Sequence, residues 1–338
     1  MKPDVTIVIP SFNSEKFLLE TLQSVARQSW EQLECLVIDD GSNDNTPKIA
    51  KDFAENDRRF QFFERDPNQP KGANACRNQG LFTAQGDYVI FLDADDILLP
   101  KAVENRLSTF KSHPDLDALV YSYSAYSDQG AEDEILNYDP DQESEIEYLK
   151  AFLSYQIPWQ TSCPIWKRET LLKFGGFDLN FTRFQDVELH TRMLLSGIQI
   201  ARIHKADFFY RQVDQGSKYK DKAFLGRAMS GIEAFLDKFA ADRFPVDVID
   251  LQERRALLRQ SLRKCLDKFG IPNQMWAHAK SLISTAKKSG IINSKQAWAF
   301  RVYLFMVRSQ WYKTKGLGMY KIFSWSKRIS ELKAMPSP

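Results

Sequence analysis

Short apolar segments alternate with helix-like segments through the first 110 residues, and this alternation constrains the fold more than any other feature. Apolar runs that predict strands lie at residues 5–10, 33–40, 60–64 and 88–92. The segments between them carry apolar residues at helical spacing. Strands that are apolar throughout and are separated by helices are typical of a parallel sheet that is covered on both faces. The sequence therefore predicts an α/β fold with a mostly parallel sheet.

Acidic side chains follow two of these predicted strands directly. Asp39 and Asp40 close the second strand, and Asp93, Asp95 and Asp96 follow the fourth. Ligands of open α/β sheets bind beyond the carboxyl ends of the strands. Both acidic clusters are therefore expected at the edge of the sheet where a ligand binds.

The charge of the chain is divided unevenly along its length. Residues 1–250 hold 28 Lys and Arg against 41 Asp and Glu, a net charge of −13, whereas residues 251–338 hold 18 against 3, a net charge of +15. The pattern from about residue 222 onward is helical, without a further convincing strand. We predict a catalytic domain over residues 1–220 and a helical, basic C-terminal region over residues 221–338.

Three interpretations of the basic region stay open. The segment from residue 297 to 308 is a helix that is apolar on most sides and carries arginines. It is expected to cap the catalytic domain and bury Trp298 and Phe305, or to lie on an anionic membrane surface. Nucleic-acid binding is disfavoured, because no recognition module accompanies the charge.

The cysteines and the apolar segments indicate the compartment. Four cysteines are scattered singly and form no zinc-binding pair, which indicates reduced thiols. The N-terminus carries no signal-peptide core, and no apolar stretch of about 18 residues predicts a membrane span. We expect a cytoplasmic protein, with the inner face of the cell membrane as a candidate surface for the basic region.

Four motifs, taken together and in this order, carry a resemblance. They are residues 8–13 (VIPSFN), 37–42 (VIDDGS), 72–78 (GANACRN) and 91–96 (FLDADD). The set resembles the family 2 inverting glycosyltransferases of the GT-A fold, over residues 4–215. The resemblance implies a Rossmann-like, mostly parallel sheet flanked by helices, with the basic C-terminal region as a helical extension. It also implies a nucleotide-sugar donor and a saccharide or lipid-linked saccharide acceptor, of the kind used for bacterial surface polysaccharides.

The resemblance assigns a divalent metal and the donor site. Asp95 matches the metal ligand of the family, and Asp93 lies nearer the ribose or shares the metal. Mn²⁺ or Mg²⁺ suits this role, because hard cations bind carboxylates together with phosphate oxygens. The residues implied in donor binding are Pro10, Ser11, Asn13, Asp39, Asp40, Arg77, Asp93 and Arg211.

The general base is implied by a helix start near residue 185. The family places an acidic pair there, and this chain has Gln185 followed by Asp186, so Asp186 takes the role of base. Glu188 is the second candidate. The alternative is that Asp186 serves only as a helix cap.

Two departures from the family pattern leave other functions open. Gln185 replaces an acid, and Val213 stands where many relatives carry a histidine after the last strand. A catalytically degenerate nucleotide-sugar-binding protein is therefore one alternative, and a haloacid-dehalogenase-like phosphatase, whose motif is similar to residues 88–95, is another. Dehydrogenase and P-loop functions are excluded, because their glycine-rich motifs are absent.

Overall fold

The computed structural model describes residues 2–127, 130–135, 143–212, 221–241 and 248–310, together with residues 321, 322, 324 and 326. The chain divides into two compact units. The first comprises Met1–Asp139, Pro158–Leu189 and Ile198–Val213, and the second comprises Pro140–Ile157, His190–Gly197 and Asp214–Pro338. The second unit therefore takes two short segments from within the predicted catalytic domain, and a domain boundary at residue 220 stays a prediction.

The described strands of the first unit form one nine-stranded sheet. They are β1 (Val5–Ser11), β2 (Leu33–Asp39), β3 (Phe60–Glu64), β4 (Tyr88–Phe91), β5 (Ile97–Leu98), β6 (Ala118–Ser127), β7 (Gly130–Ile135), β8 (Pro164–Lys167) and β9 (Ile200–Arg211). Their order is β3-β2-β1-β4-β8-β6-β9-β5, with β7 paired to β6. Strands β1 to β4 are mutually parallel, β6 is parallel to β9, and β8 runs antiparallel between β4 and β6.

The four apolar segments of the sequence form the parallel part of this sheet, as predicted. Strand β1 is buried along its whole length, because helices cover both faces. Helix α3 (Ala73–Thr83) lies so close to it that a side chain at Gly80 would come within 2.3 Å of Val8. The register aligns Ser11 with Asp39 and Asp39 with Glu64, so three strands end at one level. This edge carries the candidate site.

The helices of the first unit follow the strands in alternation. They are α1 (Leu18–Ala26), α2 (Thr46–Asn56), α3 (Ala73–Thr83), α4 (Ala102–Lys111) and α6 (Arg168–Lys173). Helix α7 (Gln185–Leu195) begins in the first unit and ends in the second. The acid-rich segment from residue 132 to 147 contributes to two elements: its first residues belong to β7, which pairs with β6, and its last belong to helix α5 (Glu145–Leu153). Residues 136–142 lie outside the described residues.

The second unit is helical in the part that the structure describes. Its helices are α5 (Glu145–Leu153), α8 (Lys222–Ala240), α9 (Leu251–Cys265), a π-helical turn (Leu266–Gly270), α10 (Trp276–Lys288) and α11 (Ser294–Ser309). Leu258, Leu262 and Cys265 are buried on one face of α9, as their spacing predicts. The expectation that the basic region buries Trp298 and Phe305 is wrong, because both side chains remain more than half exposed on α11. None of the described helices is long and apolar enough to cross a bilayer.

Candidate active site

Asp39 shapes the loop that follows β2. Its Oδ2 accepts the backbone N–H groups of Gly41 and Ser42 at 3.0 and 2.8 Å, and its Oδ1 accepts the hydroxyls of Ser42 and Ser11 at 2.6 and 3.2 Å. Gly41 has a φ of +79°, which a residue with a side chain rarely adopts. The buried carboxylate therefore fixes a tight turn beside the end of β1. The role in donor binding that the resemblance implies for Asp39 stays a prediction.

Asn13 joins the loops after β1 and β2. Its backbone N–H donates to Ser42 Oγ at 2.9 Å, and its side-chain oxygen accepts the N–H of Asn43 at 3.0 Å. It has a φ of +48°, a conformation that asparagine tolerates better than most residues. Asn13 thus holds the exposed end of the loop that begins with Pro10 and Ser11.

Asp40 has the environment of a structural ion pair. Its carboxylate accepts Arg65 Nε at 2.6 Å, and both side chains are nearly buried. Its backbone N–H donates to Ser11 O at 2.9 Å, and Arg65 donates further to Asp66 O at 2.7 Å. The pair ties β3 to the ends of β1 and β2, and the predicted role of Asp40 in donor binding is left to experiment.

Arg77 lies on α3 with its guanidinium directed to the loop after β4. Its Nη2 donates to Asp93 Oδ1 at 2.6 Å, and its guanidinium lies 5.2 Å from the ring centre of Phe177. Arg77 is only 3% exposed, yet its Nε and Nη1 have no hydrogen-bond partner among the described residues. A buried donor without a partner costs about 1–3 kcal/mol. An anionic ligand that accepted these N–H groups would remove that cost.

Helix α3 also holds the loop that leads to Asp186. Asn78 donates to Phe177 O and accepts the N–H of Phe177, both at 2.8 Å. Asn74 donates to Asp178 O at 2.9 Å and to Phe181 O at 2.8 Å. Sequence analysis missed this role, although two asparagines four residues apart on one helix face were a signal for it. Through these four hydrogen bonds, the position of the loop before α7 depends on the helix that carries Arg77.

Asp186 lies at the start of α7 and is half-buried. Burial raises the pKa of its carboxyl above the ordinary value; the Val187 N–H and the Arg77 charge oppose this, and the Asp93 charge adds to it. Its Oδ1 accepts the N–H of the next residue, Val187, at 2.9 Å. A helix cap instead accepts an N–H two or three residues on. Asp186, Arg77 and Asp93 therefore share one electrostatic environment.

The other candidate base is placed differently. Glu188 is 0% exposed, so its carboxylate cannot meet an acceptor hydroxyl that approaches from solvent. Gln185, which replaces an acid of the family pattern, is half-buried at the first position of α7. Of the two carboxylates, Asp186 and Glu188, Asp186 is the one that is partly accessible, as a base must be.

The acidic segment after β4 divides into accessible and buried carboxylates. Asp93 and Asp95 are partly exposed, whereas Asp96 is fully buried. Asp96 accepts Ser162 Oγ at 2.7 Å and the N–H of Arg211 at 3.4 Å. Burial, followed by the charges of Asp93 and Asp95, raises the pKa of Asp96 well above the ordinary carboxyl value. Strand β5 follows Asp96 directly in the chain.

The carboxylates present suit a metal ion that is shared with a ligand. No group of three or more His, Cys, Asp or Glu side chains that could hold an ion occurs within the part of the chain that the structure describes. Mg²⁺ typically uses one or two carboxylates and completes its shell with phosphate oxygens and water. Asp93 and Asp95 provide two carboxylates on one short segment. They fit an ion that binds together with a diphosphate.

Arg211 braces the acidic segment from β9. Its Nε donates to Asp95 O at 3.0 Å, and its Nη2 pairs with Glu20. The guanidinium lies 4.7 Å from the ring centres of both Phe17 and Tyr126. These contacts hold the backbone of the segment, and the predicted contact of Arg211 with a diphosphate stays a prediction. Val213, the position of the histidine in many relatives, lies outside the described residues.

A buried network behind the acidic segment escaped sequence analysis. Arg106 and Asp207 form a bidentate ion pair with both N–O distances at 2.7 Å, and Arg106 also donates to Ser162 O at 3.2 Å. Ser162 Oγ accepts the N–H of Asp93 at 3.3 Å while donating to Asp96. The paired residues are 101 positions apart, so no local pattern linked them. Through Ser162, this network holds the backbone of Asp93 and the side chain of Asp96.

Comparisons with known proteins agree with this architecture. Residues 6–165 match the family described as Glycosyl transferase family 2. An uncharacterized glycosyltransferase of Methanocaldococcus jannaschii is 27% identical over 212 residues, 62% of this chain and 71% of that protein. The GalNAc(5)-diNAcBac-PP-undecaprenol beta-1,3-glucosyltransferase of Campylobacter jejuni is 35% identical over 105 residues, 31% of this chain and 34% of that protein.

A solved structure matches the whole length of the fold. Staphylococcus aureus TarS, residues 1–349 in complex with UDP-GlcNAc, superposes with a TM-score of 0.63 at 15% identity and covers 97% of this chain and 91% of that one. At this identity the likeness concerns the fold alone. It confirms the predicted GT-A architecture with a helical C-terminal region.

Proposed function

We propose that this chain, which belongs to glycosyltransferase family 2 through residues 6–165, transfers a sugar from a nucleotide-diphosphate sugar to a hydroxyl of a saccharide or lipid-linked saccharide. The observation that carries the proposal is the arrangement around Arg77. This buried guanidinium pairs with Asp93, partly opposes the rise in the pKa of Asp186 that burial causes, and keeps its Nε and Nη1 without partners among the described residues. Family membership excludes the phosphatase alternative.

The donor is proposed to bind with its diphosphate at Arg77 and the acidic segment. Charge-assisted hydrogen bonds from a guanidinium to phosphate are stronger than neutral ones. The unpartnered Nε and Nη1 of Arg77 can make such bonds without giving up the pair with Asp93. TarS is solved with UDP-GlcNAc, a nucleotide-diphosphate sugar, which supports this class of donor.

The transfer is proposed to be a single in-line displacement that inverts the anomeric centre. The acceptor oxygen forms a bond to the anomeric carbon while the bond to the phosphate oxygen breaks, and the bonding electron pair leaves with the nucleoside diphosphate. Asp186 takes the proton of the acceptor hydroxyl. Its raised pKa favours this step, since a base whose pKa lies closer to neutral accepts a proton more readily.

Asp95 and Asp93 are proposed to hold a divalent cation, Mn²⁺ or Mg²⁺. When bound, such an ion neutralises charge on the leaving diphosphate. Two arginines position these carboxylates: Arg77 orients Asp93 by direct hydrogen bonding, and Arg211 holds the backbone of Asp95. Ser162 fixes the N–H of Asp93.

The acceptor and the location of the protein are proposed together. The Campylobacter relative is named as acting on an undecaprenol-linked saccharide, and the net charge of the C-terminal region of this chain suits an anionic surface. All four cysteines are free and buried, which is compatible with a reducing compartment. We therefore favour the cytoplasmic face of the cell membrane, with peripheral attachment.

A panel of nucleotide sugars tests the proposed function. Thermal stabilisation and Mn²⁺- or Mg²⁺-dependent release of nucleoside diphosphate are measured for the wild type, for Arg77→Gln, and for Lys48→Gln, an exposed control on α2. One donor is expected to stabilise the wild type and the control, and to be hydrolysed by both, while Arg77→Gln responds weakly. Stabilisation without turnover toward any acceptor indicates the degenerate binding protein. No response to any nucleotide sugar contradicts the proposal.

A further inference from the structure

One face of helix α11 exposes aromatic and basic side chains together. Trp298 and Phe305 are 56% and 51% exposed, and Arg301 and Arg308 are exposed as well. The four residues are spaced three, four and three apart, so they lie on the same side of a helix. The buried residues of this helix are Ala297, Ala299, Phe300, Tyr303, Leu304 and Met306.

The sequence on both sides of α11 is basic and contains no acidic residue. Residues 268–330 contain twelve Lys and Arg and no Asp or Glu. Helix α9 contacts the buried side of α11, where the Arg263 guanidinium lies 4.2 Å from the ring centre of Tyr303 and pairs with Asp267. The positive charge of the exposed face therefore comes from Arg301 and Arg308, with no acidic residue near them in the sequence.

We propose that this face of α11 binds the surface of an anionic lipid bilayer. Tryptophan and phenylalanine lie well at the boundary between headgroups and acyl chains, and arginines beside them meet lipid phosphates. A helix that is packed on one side and presents aromatic residues with flanking cations on the other can lie flat on such a surface. The sequence carries no signature of a nucleic-acid recognition module beside this charge, which favours lipid over RNA.

This proposal assigns the proposed membrane attachment to one face of α11. It rests on the proposed function only for the reason that the protein would need a membrane. Binding to vesicles needs neither donor nor acceptor. A chain that binds vesicles but hydrolyses no nucleotide sugar contradicts the proposed transferase alone. A chain that transfers sugar but binds no vesicles contradicts the proposal for α11 alone.

Co-sedimentation with vesicles tests the proposal on the full chain. The vesicles contain phosphatidylcholine alone or phosphatidylcholine with about 30% phosphatidylglycerol. The assay is run at about 0.1 M salt, where the surface charge of the vesicles is only partly screened. Two variants are compared with the wild type: Arg301→Glu/Arg308→Glu and Trp298→Ser/Phe305→Ser. Lys48→Glu/Lys51→Glu, which reverses two exposed lysines on α2, is the matched charge control.

The wild type and the control are expected to bind the anionic vesicles and to be released by salt. At about fivefold per basic side chain, the arginine variant is expected to bind at least about 25-fold more weakly. The aromatic variant is expected to lose binding while remaining folded at the assay temperature, as circular dichroism of the same sample shows. Unchanged binding by both variants, no binding by the wild type, or binding to RNA in preference to vesicles through the same residues would overturn the proposal.

Discussion

Arg77 and Asp93 form an ion pair of 2.6 Å that joins helix α3 to the acidic segment after β4. The guanidinium is almost fully buried, while the carboxylate remains partly exposed. The pair uses one nitrogen of the arginine, so the N–H groups of the other two, Nε and Nη1, stay available inside the site. A buried arginine with unused N–H groups can bind a second anion, and the proposed donor binding depends on this.

Replacement of Arg77 is expected to weaken the donor site. Arg77→Gln removes charge-assisted bonds worth about 1.5–3 kcal/mol each, so donor affinity should fall about 10- to 150-fold. Arg77→Lys should not restore it, because an ammonium lacks the planar fork. Isothermal titration with the nucleoside diphosphate measures this, with Arg58→Lys, an exposed arginine, as the control. Equal affinity in all three variants would remove Arg77 from the donor site.

Replacement of Asp95 is expected to remove the dependence of donor binding on a divalent cation. Asp95→Ala leaves Asp93 as the one accessible carboxylate of the segment, and turnover should be abolished. Binding of the nucleoside diphosphate with and without Mn²⁺ is compared in the wild type and the variant. Full activity of Asp95→Ala, with or without a chelator, would show that this carboxylate holds no catalytic metal.

Ser162 is expected to position the acidic segment. Ser162→Ala leaves the buried Asp96 carboxyl with only the long hydrogen bond from the Arg211 N–H and leaves the N–H of Asp93 without its Ser162 acceptor, which costs about 1–3 kcal/mol of stability. The melting temperature and kcat should both fall, and KM for the donor should rise. Ser24→Ala, which removes a buried hydroxyl that lies on α1, controls for a general loss of stability. If both variants lose stability and only the control keeps kcat, Ser162 has the positioning role; equal kcat values contradict it.

The pH dependence of transfer is expected to report Asp186. The base must be ionised, so kcat/KM should fall as pH is lowered through the pKa of this carboxyl, which burial raises above its ordinary value. Since the Arg77 charge lowers that pKa, Arg77→Gln should move the acidic limb of the profile to higher pH. A limb that stays in place in Arg77→Gln would place the titrating group elsewhere.

The sequence was sufficient to predict the parallel strands and the edge at which both acidic clusters lie. Apolar periodicity is local, and it was enough to predict that Asp39 and Asp93 each follow a strand of that sheet; the structure places β1 between those two strands. Sequence could not tell that Asp96 is buried or that Ser162 is its partner, because that contact spans 66 positions. Such pairs depend on the path of the chain in three dimensions.

The basic region shows the same limit. The spacing of apolar residues on α9 predicted which of them are buried, because one apolar stripe on a helix faces the core. Helix α11 is apolar on most sides, so periodicity did not tell its inner face from its outer face. The structure makes that choice by packing Phe300 and Leu304 inward and leaving Trp298 and Phe305 exposed.

The most direct measurement is the transfer rate of Asp186→Asn together with the anomeric configuration of the product. Asparagine keeps the size of the side chain but cannot take the proton of the acceptor. Loss of a positioned base costs about 10²- to 10⁴-fold in rate. We predict a decrease of that size in acceptor transfer, nearly unchanged nucleotide binding, and a wild-type product whose anomeric configuration is opposite to that of the donor. Transfer at near the wild-type rate by Asp186→Asn, or a product that retains the configuration of the donor, would contradict the account.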